Sequence, residues 1–449
     1  MRIRRRAFAL ITGAAMTIAM AVVVAPDGMA AVSTADSAAV ACTAPAWAEG
    51  TTYPAGTQVT YQGRLYQALV THTAYPGAGW NPAATPSLWT DLGACSGTTP
   101  PTMPPTTTPP TTPPTTPPTT PPTTAPTTTP AGDTCAVKSR PAGKVLVGYW
   151  ENWDGAANGV HPGLGWIPVT DNRLAQHGYN VINAAFPVIR ADGTVLWEDG
   201  MDAGVKVATP AQMCQAKASG ATILMSIGGA AAGIDLSSSA VADRFVATIV
   251  PILKKYNFDG IDIDIETGLT GSGSIGTLSA SQANLIRIID GVLAQMPSTF
   301  GLTMAPETAY VTGGSVTYGS IWGAYLPIIK KYVDNGRLWW LNMQYYNGSM
   351  YGCAGDSYQA GTVQGFVTQT QCLNSGLVVQ GTTIRVPYDR QVPGLPAQPG
   401  AGGGYMSPSL VAQAYGRVSG IKGLMTWSAN WDGSLGWTFG DNVRALQGR

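Results

Sequence analysis

The chain has 449 residues, a formal net charge of zero at neutral pH and only 11% charged residues. That length allows more than one domain and a large buried core, and the neutral balance gives no electrostatic basis for binding nucleic acid or an anionic membrane. Polar content leans on Gly, Thr, Ser and Asn, with 13 Trp and 18 Tyr, which suits an extracellular protein handling a neutral, ring-shaped ligand.

Residues 1–30 read as a signal peptide. Arg2, Arg4, Arg5 and Arg6 precede an apolar run over 7–25, and small residues around Ala30 and Ala31 offer a cleavage site. A transmembrane anchor fits less well, because Thr12, Gly13 and Thr17 interrupt the run and no basic stop-transfer cluster follows. The chain is therefore expected to be secreted and extracellular, and to work as a monomer.

A small module is expected over 42–95. Residues 57–61 and 64–70 alternate around Gln62-Gly63, which predicts a β-hairpin. Trp47, Tyr53, Tyr61, Tyr66, Tyr75 and Trp89 can form a miniature core. Trp80 differs, since it follows Gly77-Ala78-Gly79 and precedes Asn81-Pro82, a loop where a Trp offers a stacking surface for a flat sugar face. Residues 96–134 are a Thr/Pro tract with nothing to bury. It predicts an extended linker reaching on the order of 100 Å.

Six cysteines in an oxidising compartment suggest three disulfides. Fifteen pairings are formally open. Cys42–Cys95 brackets the small module and Cys353 and Cys372 are near neighbours, which leaves Cys135–Cys214. No Cys/His spacing suits zinc, and neither a metal nor a cofactor is expected.

The large module, 135–449, carries apolar β-branched runs at 145–150, 179–186, 222–227, 260–266, 301–306, 338–346, 392–395 and 423–428. Helices are expected between several of them, over 239–256 and 281–295 among others. Eight strands with crossover helices predict an α/β fold, a (β/α)8 TIM barrel, beside the small all-β module. The fourth run, Asp259-Gly260-Ile261-Asp262-Ile263-Asp264-Ile265-Glu266, alternates apolar and acidic residues. On a strand this puts Asp262, Asp264 and Glu266 on one face. Carboxylates so placed repel one another unless protons are shared or pKa values are pushed apart, which is how an acid–base site is built. A cation site or a structural acidic network is the alternative, but Ca²⁺ sites draw on loops and carbonyl ligands. Ser226-Ile227-Gly228-Gly229 ends the third run and permits close approach of backbone or ligand. The sixth offers Met343-Gln344-Tyr345-Tyr346-Asn347, polar and aromatic where a barrel strand should be apolar. The first ends in Gly148-Tyr149-Trp150 and the eighth carries Trp427. Glu151 and Glu307 stand at strand ends, Glu307 facing the cleft, with no role assigned. His161 and His177 are expected to be structural.

Two resemblances follow from these residues. Tyr61-Gln62-Gly63-Arg64-Leu65-Tyr66, His72-Thr73, Gly79-Trp80-Asn81-Pro82 and Pro86-Ser87-Leu88-Trp89 resemble the chitin-binding module of carbohydrate-binding families 5 and 12. That implies a chitin-binding surface centred on Trp80, with His72, Thr73, Pro82 and Pro86 near it. The large module resembles glycoside hydrolase family 18, the chitinases. The Asp-x-x-Asp-x-Asp-x-Glu pattern matches at Asp259, Asp262, Asp264 and Glu266, and Ser-x-Gly-Gly matches at Ser226, Gly228 and Gly229. The order of module, linker and barrel resembles secreted chitinases of soil actinobacteria.

The family resemblance implies a retaining, endo-acting hydrolysis of the β-1,4 bonds of chitin and chitooligosaccharides. Glu266 would be general acid and then base. Asp264 would hold the substrate's N-acetyl group, whose carbonyl oxygen is the nucleophile, a known exception to the two-carboxylate rule. Asp262 would share a proton with Asp264, and Asp259 and Ser226 would be structural. Tyr346 would bond the acetamido group, assisted by Gln344 and Asn347. Tyr149, Phe186, Gly228, Gly229, Met304 and Trp427 would line the substrate cleft, with Trp427 as its floor. Where many members carry Met-x-Tyr-Asp, this chain has Gln344, Tyr346 and Asn347. That variant resembles a subgroup with an open cleft and no inserted α+β domain. An endo-β-N-acetylglucosaminidase acting on N-glycans shares the acid strand, and a chitinase-like lectin would lack the acid.

Overall fold

A computed structural model describes residues 42–95, except 49–50, 55, 69–71, 75–80 and 84–88, and residues 132–449, except 156–163 and 231–232. The proposed signal peptide, nearly all of the linker, Trp80, Pro86 and His161 lie outside the described residues.

In the small module Gln58–Tyr61, Arg64–Ala68 and Trp89–Ala94 form a three-stranded antiparallel sheet, and Thr52–Tyr53 pairs with His72–Thr73. Gln62 and Gly63 both have positive φ, 47° and 74°, as a two-residue hairpin turn with the strands' own twist requires. Tyr53, Val59, Tyr66, Ala68, Ala74 and Trp89 make its core, with Trp47 and Tyr61 against them. The Cys42–Cys95 bond closes it.

The large module is built on eight parallel strands. In chain order they are β1 Val145–Glu151, β2 Val181–Ala185, β3 Thr222–Gly228, β4 Gly260–Asp264, β5 Gly301–Met304, β6 Trp340–Leu341, β7 Gly394–Pro396 and β8 Gly423–Trp427. They lie side by side in the order β6-β5-β4-β3-β2-β1-β8-β7. All eight expected strands are present, the sixth much shorter than its apolar run. Beyond Leu341 the ladder goes on as single bridges, Leu341 to Gln391 and Gln344 to Gly394, both parallel. These join the extension of β6 to the approach of β7 and close the sheet into a barrel.

The crossover helices include α1 Asn172–Gln176, α2 Pro210–Ala218, α3 Ser239–Lys255, α4 Ala280–Leu293, α5 Leu326–Asp334, α6 Val363–Ser375 and α7 Pro408–Arg417. Starts of α2 and α4 are fixed by capping boxes, Thr209 with Gln212 and Ser279 with Gln282. Apolar side chains on the outer strand faces, such as Ile261 and Ile263, pack with Phe245, Ile249, Leu285 and Ile288 of α3 and α4. Inward residues Val145, Val147, Tyr149, Val181, Leu224 and Trp340 fill the lumen. Cys135–Cys214 ties the entering chain to α2, and Cys353–Cys372 ties α6 to the segment after β6. Residues 347–391 hold two short ribbons and α6, with no inserted α+β domain. Among the described residues no helix is long and apolar enough to cross a membrane.

Candidate active site

Strand β4 alternates as its sequence demands. Ile261, Ile263 and Ile265 join the outer core, while Asp262, Asp264 and Glu266 climb the lumen toward the mouth at the strands' C-terminal ends. The three acids meet different surroundings. Asp262 is fully buried and accepts four bonds. Tyr149 Oη (2.6 Å) and Ser226 Oγ (2.9 Å) reach Oδ2, and Thr303 Oγ1 (2.5 Å) and Asn342 Nδ2 (3.0 Å) reach Oδ1. Burial pushes its carboxyl up and these donors pull it back. Asp264 accepts from Gln344 Nε2 at 3.0 Å. Burial, then the charges of Glu266 and Asp262, push it well above the usual carboxylate range. Glu266 is half-buried at the mouth and accepts from the same Gln344 Nε2 at 2.9 Å. Burial raises it, against hydrogen bonds from Gln344 and Asp264. Asp264 thus feels both neighbours: it hydrogen-bonds Glu266 and is raised by the charge of Asp262, which is itself held by four donors.

The backbone that presents Glu266 is clamped. Tyr325 Oη donates to Ile265 O (2.9 Å) and accepts from Ile265 N (3.0 Å), and Tyr310 Oη donates to Glu266 O at 2.7 Å. Gly229 N donates to Asp264 O at 2.7 Å. The two glycines serve packing. A Cβ on Gly228 would lie 2.1 Å from Asp264 O, and one on Gly229 2.8 Å from the Phe186 ring.

Around the mouth, Trp427 is half-buried and stacks on Phe186 (5.9 Å between ring centres, 14°), with Tyr149 at 5.6 Å and Trp153 at 6.2 Å. Tyr346 is buried among the same lumen residues. Burial, then the charges of Asp264, Glu266 and Glu307, raise its phenol well above the ordinary value, so it stays a hydroxyl donor.

The other residues singled out from sequence are placed as follows. Met304 points away from the cleft into the outer core, because Thr303 and Ala305 take the inward positions of β5. Asn347 is exposed, with φ 64°, and its Oδ1 accepts from Gly403 N at 2.7 Å, which ties the two mouth loops together. Pro82 is buried. His72 and Thr73 form the second strand of the small ribbon. Asp259 sits at the opposite end of β4 and pairs with the buried Lys217 at 2.7 Å. His177 stacks on Trp437 and bonds Asp441. Glu151 accepts from Ser428 Oγ at 2.5 Å, joining β1 to the end of β8.

Residues not singled out from sequence are Thr303, Asn342, Tyr310, Tyr325 and Trp153. Thr303 and Asn342 carried a signal, since each is a polar side chain inside an apolar strand run. Among the described residues no cluster of acids, His or Cys suits a metal ion.

A closed parallel barrel whose C-terminal mouth holds a row of inward acids under aromatic rings defines a barrel glycoside hydrolase. Residues 145–347 match the model of glycosyl hydrolases family 18, and residues 46–90 that of carbohydrate-binding module family 5/12. Endochitinase 4 of Metarhizium robertsii is 80% identical over 313 residues, covering 70% of this chain and 91% of that protein. Endochitinase 37 of Trichoderma harzianum is likewise 80% identical, over 70% and 93%. A solved family 18 chitinase from Chromobacterium violaceum is 28% identical, with TM-score 0.58, over 90% of this chain and 100% of that one. The chain belongs to glycosyl hydrolases family 18. The two relatives at 80% identity are fungal, so the actinobacterial module order is not matched by an actinobacterial source among them.

Proposed function

We propose that this chain is a secreted endochitinase that cuts β-1,4 bonds between N-acetylglucosamine units with retention of configuration. The observation that carries the reading is the pairing of Asp264 and Glu266 on one amide, Gln344 Nε2, at the mouth of the lumen. Glu266, held up by burial, gives its proton to the glycosidic oxygen as the bond to the anomeric carbon breaks. The substrate's acetamido oxygen closes on that carbon, and Asp264 takes the amide N–H as positive charge develops. Tyr346 donates to the acetamido group. Glu266, now a carboxylate, removes a proton from the water that opens the ring. Asp262, with four donors, keeps the row in place. Trp427 and Phe186 form the apolar floor, and the open mouth suits internal cutting. The small module, centred on Trp80, holds the chain to chitin.

Glu266→Gln removes the transferable proton and keeps the shape. Chitin hydrolysis should fall by roughly 10²-fold or more with an unchanged thermal transition; near wild-type activity in that variant sinks the mechanism. Release of N-glycans from a high-mannose glycoprotein in preference to colloidal chitin would instead support the endo-β-N-acetylglucosaminidase reading. Binding without any product would support a lectin.

A further inference from the structure

A fourth carboxyl, beside Asp262, Asp264 and Glu266, belongs to this cleft, and the chemistry above leaves it unused. Strand β5 runs beside β4 with Asp262 opposite Thr303 and Ile263 opposite Met304. Thr303 and Ala305 face the lumen as Asp262 and Asp264 do. Two residues further along each chain come Glu266 and Glu307, and period-two alternation carries both into one layer. Backbone bonds keep that phase. Ala305 N donates to Ile263 O at 2.9 Å, Gln344 N donates to Pro306 O at 2.9 Å, and Glu307 is bridged in parallel to Gln344. Gln344 is the residue whose side chain reaches Glu266. Glu307 opens the short helical turn Thr308–Tyr310 yet makes no side-chain cap bond to it. From the same turn Tyr310 reaches the Glu266 carbonyl.

We propose that Glu307 is a positioning residue that acts through Glu266: the two carboxyls of this layer resist ionising together, so one proton stays available to the glycosidic oxygen. The proposal rests on Glu266 being the acid. Two like carboxyls that repel give up their protons as a pair, the second at a higher pH than either would alone. Burial and then the charge of Glu266 push Glu307 up to about 7, so the last proton of the layer leaves near neutrality. The groups that the charges of the pair reach are Asp264 from β4, Tyr310 from the turn after β5 and Tyr346 beyond β6, with Asp262 and its donor Tyr149 of β1 next to Asp264. The phenols stay neutral, Tyr149 and Tyr346 because burial raises them far, Tyr310 because burial and the charges of Glu307 and Glu266 raise it to about 12. Among these described groups only the carboxyls contribute charge. A bound glycosidic oxygen accepts from Glu266 and draws the shared proton there, which leaves the charge on Glu307.

The test is the pH dependence of kcat and kcat/KM on a soluble chitooligosaccharide for the full chain. Glu307→Gln keeps shape and polarity but cannot carry the charge, so Glu266 loses its proton earlier. The alkaline limb should move to lower pH by about one unit, with Glu307→Asp returning it toward wild type. A Glu307→Gln limb superimposed on wild type overturns the proposal. Should the amide variant fold poorly, Glu307→Ser makes the same prediction in the same assay. Loss of the mechanism itself reads out separately, as activity retained by Glu266→Gln.

Discussion

Gly228 and Gly229 show how single residues set the geometry of the acids. Gly228 has φ +110°, and any Cβ there would lie 2.1 Å from the carbonyl oxygen of Asp264. That neighbour is backbone within the β3–β4 ladder, where Gly228 is in register with Asp264, so it cannot step aside. Gly229, at φ +78°, meets only the rim of the Phe186 ring, which can rotate. Glycine is thus needed at the first position to let two strands close, more than to admit substrate. Gly228→Ala is expected to cost about 2–4 kcal/mol through backbone strain and overpacking. It should also lower activity, because the shift is delivered to Asp264. Gly229→Ala should cost less and act mainly on the Phe186–Trp427 floor. Denaturant midpoints of the two variants decide: equal or inverted costs would refute the close-approach reading of Gly228.

At the scale of elements, strand β4 does two separate jobs at its two ends. Its top holds the acid row, and its start holds Asp259, which accepts from Lys138 N (2.7 Å) and Ile223 N (2.9 Å) and pairs with Lys217. Both partners of the pair are almost fully buried, so removing one charge strands the other. Lys217→Met should destabilise the barrel by about 3–5 kcal/mol, while folded enzyme keeps its specific activity, since the acid row is at the far end. Thermal unfolding with a parallel activity assay checks both halves, and replacing both residues by apolar ones should recover much of the loss. The period of β4 was legible from sequence because isoleucine and acid alternate strictly. Asp259, out of phase with the other three acids, was legible as structural for the same reason. Partners contributed by other strands were not. Thr303 and Asn342 meet Asp262 only through the registers of β5 and the extension of β6, which no local pattern encodes. The side taken by Met304 is not legible either, because the phase of β5 is set by Thr303 against Asp262, and an apolar residue fits the inner and outer cores equally well. The end of β6 is not legible in the sequence, because its ladder passes from paired strand to single bridges where Gln344 turns to the acids.

The whole molecule joins two units with different demands on their aromatic residues. In the small module Tyr53, Tyr66 and Trp89 are buried, with Trp47 and Tyr61 packed against them. The Cys42–Cys95 bond closes the same module. Trp80 lies outside the described residues; its place in the Gly79-Trp80-Asn81-Pro82 sequence and the family match over 46–90 support its proposed role as a stacking platform for a carbohydrate ligand. Tethering the barrel to an insoluble surface raises the local concentration of enzyme over its substrate, an advantage that disappears when the substrate is dissolved. Trp80→Ala should therefore weaken adsorption to crystalline chitin about tenfold, the scale of one aromatic contact, and slow hydrolysis of that solid. Turnover of short soluble oligomers, which need only the acid row and its aromatic floor, should be unchanged. The two substrates measured side by side separate the possibilities: a matching loss on both would mean that Trp80 supports the module's fold instead of contacting chitin.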